Sequence, residues 1–219
     1  MIAAHVRRIH VMTTCRPEPL ELPRGVALLR DDEMPSGSEE ERLRLTAACI
    51  TTGFTVTPHT AGSYCAYIEA NVHASMLGKV FRALAEGLMP EIAAPLVGIK
   101  DEEPVLGPYT DRVEAIAVFL PYTEALQHDG FLEFGIMFQY QGRTEEIFVR
   151  STKYLKIWTN EPAIALSILR SHGVPEVPDL QFIDNFPRCS STLPFDGQNT
   201  GWSAVLGRLK LDFEDLPPR

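Results

Sequence analysis

The chain has 219 residues, 45% of them apolar and 22% charged, with a formal net charge of −9. That length suits one large domain that buries a full core without disulfides or metals. No apolar run approaches the ~18 residues a membrane span needs, and an acidic chain repels nucleic acid. The start, with no charged segment leading into an apolar one, reads as lacking a secretory signal and points to the cytoplasm.

Residues 5–12 (HVRRIHVM) read as a strand, followed by an irregular stretch that holds Pro17, Pro19 and Pro23. VALLR (26–30) is a short strand. Ser38 and Glu41 form a capping-box pattern ahead of a helix over 39–52 that Gly53 closes and that looks amphipathic enough to dock on the main sheet. FTVT (54–57) is a strand ended by Pro58.

YCAYIEAN (64–71) is β-like. Asn71 has the character of an N-cap for a helix whose stripe is Met76, Leu77, Val80, Phe81, Leu84 and Leu88, with Gly87 and Pro90 at its end. IAAPLVGI (92–99) returns as a strand, in which Pro95 calls for an edge or a bulge. Farther on, YLKIWTN (154–160) is again β-like, with Asn160 and Pro162 opening a helix that carries Ile164, Ala165, Ile168 and Leu169 and stops at Gly173. LQFIDNF (180–186) reads as its return strand. The chain therefore presents two strand–helix–strand units about 90 residues apart, a spacing that invites comparison with a duplicated element.

Between them lie VEAIAVFLP (113–121), a short helix or turn at TEALQHDG, and a hairpin. In the hairpin Phe134, Ile136, Phe138 and Tyr140 alternate with Glu133, Gly135, Met137 and Gln139, Gly142 makes the turn, and IFVR (147–150) pairs back. A further helix is expected over 202–210. Together these predict an α+β fold: a mostly antiparallel sheet with helices on one face, in an elaborated ferredoxin-like layout. We expect one domain over 1–219, with 1–60 as an N-terminal segment packing on it and 187–219 as a C-terminal tail.

Chemistry-bearing motifs are sparse. Cys15, Cys49, Cys65 and Cys189 have no CxxC spacing and read as reduced, with Cys49 in a helix and Cys65 in a strand. His5 and His10 would face opposite sides of a strand, and Glu69 and His73 straddle an element boundary. The acidic triplets at 31–33 and 101–103 lack calcium-loop spacing. There is no GxSxG elbow and no phosphate-binding glycine loop. His59, His73, His128 and His172 have no evident nucleophile to serve. No cofactor and no metal are expected. Trp158 and Tyr154 share one strand face with Lys156 between them, an arrangement that suits packing more than ligand binding.

The charge distribution carries the functional expectation. Residues 101–146 hold ten acids and only Arg112 and Arg143 as bases, so nearly all the excess sits there. Asp101, Glu102, Glu103, Glu133, Glu145 and Glu146 are the candidate partner-binding residues. Because Glu145 and Glu146 point to opposite strand faces, at most one of them joins Glu133. Such a segment would attract a basic protein. A soluble, acidic chain without a catalytic motif has the physical character of immunity proteins that occlude basic toxins, an analogy that rests on charge alone. The alternatives are acidity that serves solubility only, an enzyme with an unrecognised acid/base site, and a structural role in which an edge near Pro95 or Phe186 pairs with a second copy to form a homo-oligomer. Neither nucleic acid nor membrane is expected as a partner.

Overall fold

The computed structural model describes residues 19–60, 62–195 and 201–219. The strand expected over 5–12 and Cys15 lie outside them. In chain order the elements are β1 (Val26–Leu28), α1 (Glu39–Thr46), β2 (Gly53–Pro58), β3 (Ala66–Asn71), α2 (Leu77–Leu88), β4 (Ile92–Ile99), β5 (Val105–Leu106) and β6 (Thr110–Asp111). They continue with α3 (Arg112–Ala117), α4 (Thr123–His128), β7 (Leu132–Tyr140), β8 (Arg143–Val149), β9 (Leu155–Thr159), α5 (Pro162–Ser171), β10 (Arg188–Ser190) and α6 (Gly201–Glu214).

The main sheet runs β2-β3-β9-β8-β7-β4-β5, with β6 also on β4 and every ladder antiparallel. A separate ribbon pairs β1 with β10. This is the expected α+β architecture. Its centre is the β7–β8–β9 meander, which begins with a two-residue turn. Gln141 (φ 47°) and Gly142 (φ 78°) both take left-handed backbone, the twist a tight hairpin needs. The turn sets the register that places Ile136 opposite Ile147 and Phe134 opposite Val149.

One face of the sheet meets the helices. Ile68, Ile157, Ile147 and Ile136 form a row across four strands and are fully buried. The α2 stripe of Leu77, Val80, Phe81, Leu84 and Leu88 lies in the same core cluster, with Ala165 and Leu169 of α5 and Val205, Leu209 and Phe213 of α6. Each such side chain contributes roughly 1.5–3 kcal/mol when it leaves water. Gly87 is inside α2 rather than beyond it. A Cβ there would come within 2.6 Å of Ile168 Cδ1, so its smallness serves the contact between α2 and α5.

Pro95 fits its place. Its carbonyl accepts from Gly107 N (2.8 Å), so residue 95 turns its backbone to the outer side of β4, in the gap between β6 at 92–93 and β5 at 96–97. A missing N–H there interrupts no ladder.

Several expectations need correction. The helix after Ser38 ends at Thr46, buries no residue and receives no side-chain cap, while Gly53 starts β2. Its first turn carries Glu39, Glu40 and Glu41, and no apolar stripe follows that could dock it. Residues 180–186 form a loop with one tight turn at Ile183–Asn185 instead of a strand, so the second unit has no return strand and Phe186 offers no edge. β3 and β4 enclose β9, β8 and β7, an order that two interleaved strand–helix–strand units would not give. Asn71 and Asn160 are not caps. Asn71 Nδ2 donates to Thr51 O (3.1 Å) and Gln181 O (2.8 Å), and Asn160 Nδ2 donates to Ser63 O and Thr144 O (both 2.9 Å). Asn71 ties the end of β3 to the segments at residues 51 and 181, and Asn160 ties the end of β9 to the loop at Ser63 and to β8 at Thr144.

Candidate functional site

Because side chains alternate along a strand, the isoleucine row on the helix side has a counterpart one residue out of phase. Tyr67 is opposite Trp158, Trp158 opposite Glu146, and Glu146 opposite Met137. All four are half-buried, on the face away from the core. The next row is Glu69, Lys156, Phe148 and Gly135. Phe148 packs over Gly135, where a Cβ would meet Ile147 O at 2.5 Å and the Phe148 ring at 2.9 Å. Toward one end, Phe182 from the 180–186 loop covers Tyr154, the rings 4.9 Å apart.

The exposed part of this face combines aromatic surface with negative charge. The Tyr67 and Trp158 rings lie 5.1 Å apart at 37°. Tyr67 Oη donates to Glu69 Oε1 (2.8 Å), and burial with that carboxylate holds the phenol well above its usual range, so it stays a donor. Lys156 Nζ lies 5.7 Å from the Tyr154 ring centre. Tyr154, Lys156 and Trp158 thus share one face, as expected. Glu146 differs from its neighbours. Burial raises its pKa, and among the described residues no hydrogen bond or ion pair reaches it.

The six sequence-predicted acids do not form one surface. Asp101, Glu102 and Glu103 are exposed in the loop after β4. Glu133 is buried and shares the outer face with Glu146; it accepts from Ser151 N (3.0 Å) and lies 3.4 Å from Arg150 Nε. Glu145 is fully buried on the helix side opposite Phe138, where it accepts from Asn160 N (3.1 Å) and pairs with Arg143 (3.1 Å). Other acids of 101–146 are engaged elsewhere: Asp111 caps α3 through Val113 N, Glu114 accepts from Thr110, and Glu124 pairs with the distant Arg24. Of these six, Glu146 and the 101–103 acids have no side-chain partner among the described residues.

A second polar cluster has no precedent in the sequence patterns. Lys153 is 3% exposed, takes left-handed backbone (φ 66°) and donates to Leu132 O. Burial pulls its pKa down to about 7, against the opposing pull of Asp129 and Glu133. Asp129 is equally buried. It accepts from Phe131 N (2.8 Å), Thr192 Oγ1 (2.7 Å) and Leu193 N (2.8 Å), tying the start of β7 to the segment after β10. These groups act as an internal staple, since buried polar atoms are stable only when partnered.

Among the described residues no three His, Cys, Asp or Glu side chains are grouped to hold a metal ion. Cys49 and Cys65, expected in a helix and a strand, are exposed just outside those elements, and Cys189 is exposed as well. His172 closes α5 with Nδ1 2.9 Å from Ile168 O, and His128 ends α4. No described helix is long and apolar enough to cross a membrane. The chain matches no family model, and no curated protein or solved structure is significantly similar to it.

Proposed function

We propose that the protein is a binding module for a basic protein partner, which docks on the outer face of the sheet around Trp158 and Glu146. The observation that carries this reading is the state of Glu146: a carboxylate partly removed from water, held beside an indole, with no ion-pair partner among the described residues. A partner's guanidinium would supply the missing charge and stack on the indole at once, a combination that favours arginine over lysine. Four adjacent strands about 4.8 Å apart give a platform wide enough for several side chains. Tyr67, Glu69 and Met137 extend it, and the net charge of −9 would speed encounter with a cationic surface. In its sharper form this is an immunity-type inhibitor that covers a working surface of a basic toxin.

The test is capture from lysate of the producing organism at low and moderate salt, followed by affinity measurement with the purified captured protein. Wild type should be compared with Glu146→Lys, Glu69→Lys and Trp158→Ala. Glu145 is unsuitable for reversal, because a buried ammonium would unfold the chain. A basic protein bound by the wild type and weakened at least tenfold by each variant is expected. A partner that is not basic, equal affinity across the variants, or no partner at all would count against the proposal.

A further inference from the structure

On the opposite side of the molecule, α2, α3 and α4 leave a cleft of about 400 Å³. Its floor is a triangle of phenylalanines: Phe81–Phe134 ring centres are 4.9 Å apart, Phe119–Phe134 5.6 Å and Phe81–Phe119 5.9 Å. Ile116 and Leu126 complete the apolar wall, and Leu120, 56% exposed, forms a lip. The volume lies within the roughly 300–1,000 Å³ of small-molecule sites, which combine apolar walls with a few polar groups that fix orientation.

The rim supplies such groups, and their charge is opposite to that of the protein as a whole. Thr123 is occupied by the Leu120 carbonyl and Ser75 by Glu21. Arg82 is paired with Glu86 (2.7 Å). Lys79 is exposed, one turn from Ser75, and no hydrogen bond or ion pair engages it among the described residues. Gln127 holds its amide directly over Gly78, so close that a Cβ on residue 78 would lie 2.2 Å from Nε2; the glycine leaves the mouth of the cleft open to that amide. The rim therefore presents an uncommitted ammonium and an amide beside an apolar trough.

We infer that this cleft binds an amphipathic carboxylate, a chain of about eight to ten carbons being of suitable size. The tail would lie on the Phe81–Phe119–Phe134 floor, with the carboxylate against Lys79 and Gln127. Charge decides the ligand's sign, because a cationic head would face Lys79 without compensation.

The test is a calorimetric and NMR titration of the full chain with decanoate and with decyltrimethylammonium, both below their micellar ranges. One-site binding of decanoate at least tenfold tighter than the cation is expected, with shifts at residues 75–82 and 116–127. Lys79→Glu should reverse the preference, and Leu120→Glu should weaken decanoate at least tenfold. No saturable binding, equal binding of both amphiphiles, or decanoate affinity unchanged in Lys79→Glu would overturn the inference. The wild-type comparison of the two head groups decides the matter even where a variant fails to fold. Glu146→Lys, far from the cleft, should leave decanoate binding unchanged.

Discussion

Glu145 and Glu146 are chain neighbours on opposite sides of one sheet, and their environments are reversed. Glu145 is sealed on the helix side with Arg143 and the Asn160 N–H as partners, while Glu146 faces outward opposite Trp158 with none among the described residues. Glu145→Ala should destabilise by about 2–4 kcal/mol, through a stranded buried N–H and lost packing. Glu146→Gln should be neutral or stabilise by about 0.5 kcal/mol at neutral pH, the scale of a screened charge. Since burial raises the folded-state pKa of Glu146, its charge penalty is absent in acid and develops as pH rises above the carboxylate range. The gain from Glu146→Gln should therefore vanish near pH 3. Denaturant melts at pH 3 and pH 7 check both.

Lys153 should leave a mark on stability at alkaline pH. Its folded-state pKa is about 7 against an ordinary 10.5, so the unfolded chain binds the extra proton between those values. Stability from this group rises with pH from about 7 to about 10.5, by up to roughly 5 kcal/mol. Lys153→Met should abolish that rise, and the wild-type minus variant difference across pH 6–10.5 in urea melts isolates it. A difference independent of pH would mean that Lys153 keeps its charge when folded.

The β7–β8 turn offers a stabilising change. Gln141 occupies left-handed backbone at φ 47°, where asparagine is tolerated better than other side chains. Gln141→Asn creates Asn-Gly at the two turn positions and should add about 0.5–1 kcal/mol. Thermal unfolding of the variant, with a Tm a few degrees higher, is the check.

The two asparagines at strand ends separate a capping role from a bracing one. Asn71→Ala should cost about 2 kcal/mol or more, because the Thr51 and Gln181 carbonyls both lose a donor. Asn71→Ser should not rescue it, whereas serine replaces asparagine well at a helix start. Recovery by serine, measured in denaturant melts, would return Asn71 to a capping role.

Those asparagines also show where sequence stops being informative. Strand alternation in 132–140 and 155–159 was readable because hairpin pairing is local and the 141–142 turn fixes its register. The α2 stripe was readable because its period lies within twelve residues. Asn71 and Asn160 each stand just before a helix and look like caps, yet their amides are claimed by carbonyls far along the chain. Residues 180–186 carry an apolar pattern that serves to cover Tyr154 rather than to pair. At the candidate site, strand alternation limited the Glu133 face to at most one of Glu145 and Glu146, and Glu146 is the one that shares it. The engagement of Glu133 by Ser151 N and of Glu145 by Asn160 N arises from pairing between strands, as does the burial of Lys153, whose acceptor is the Leu132 carbonyl.

The most direct measurement is an NMR titration of the protein with a short oligo-arginine peptide, following the Trp158 indole N–H and the amides of residues 67–69, 146 and 156–158. Saturable shifts confined to this face in the wild type, and lost in Glu146→Lys with the rest of the spectrum intact, are predicted. Shifts elsewhere only, or shifts at Trp158 that survive Glu146→Lys, would contradict the assignment of the outer sheet face as the docking surface for a basic partner.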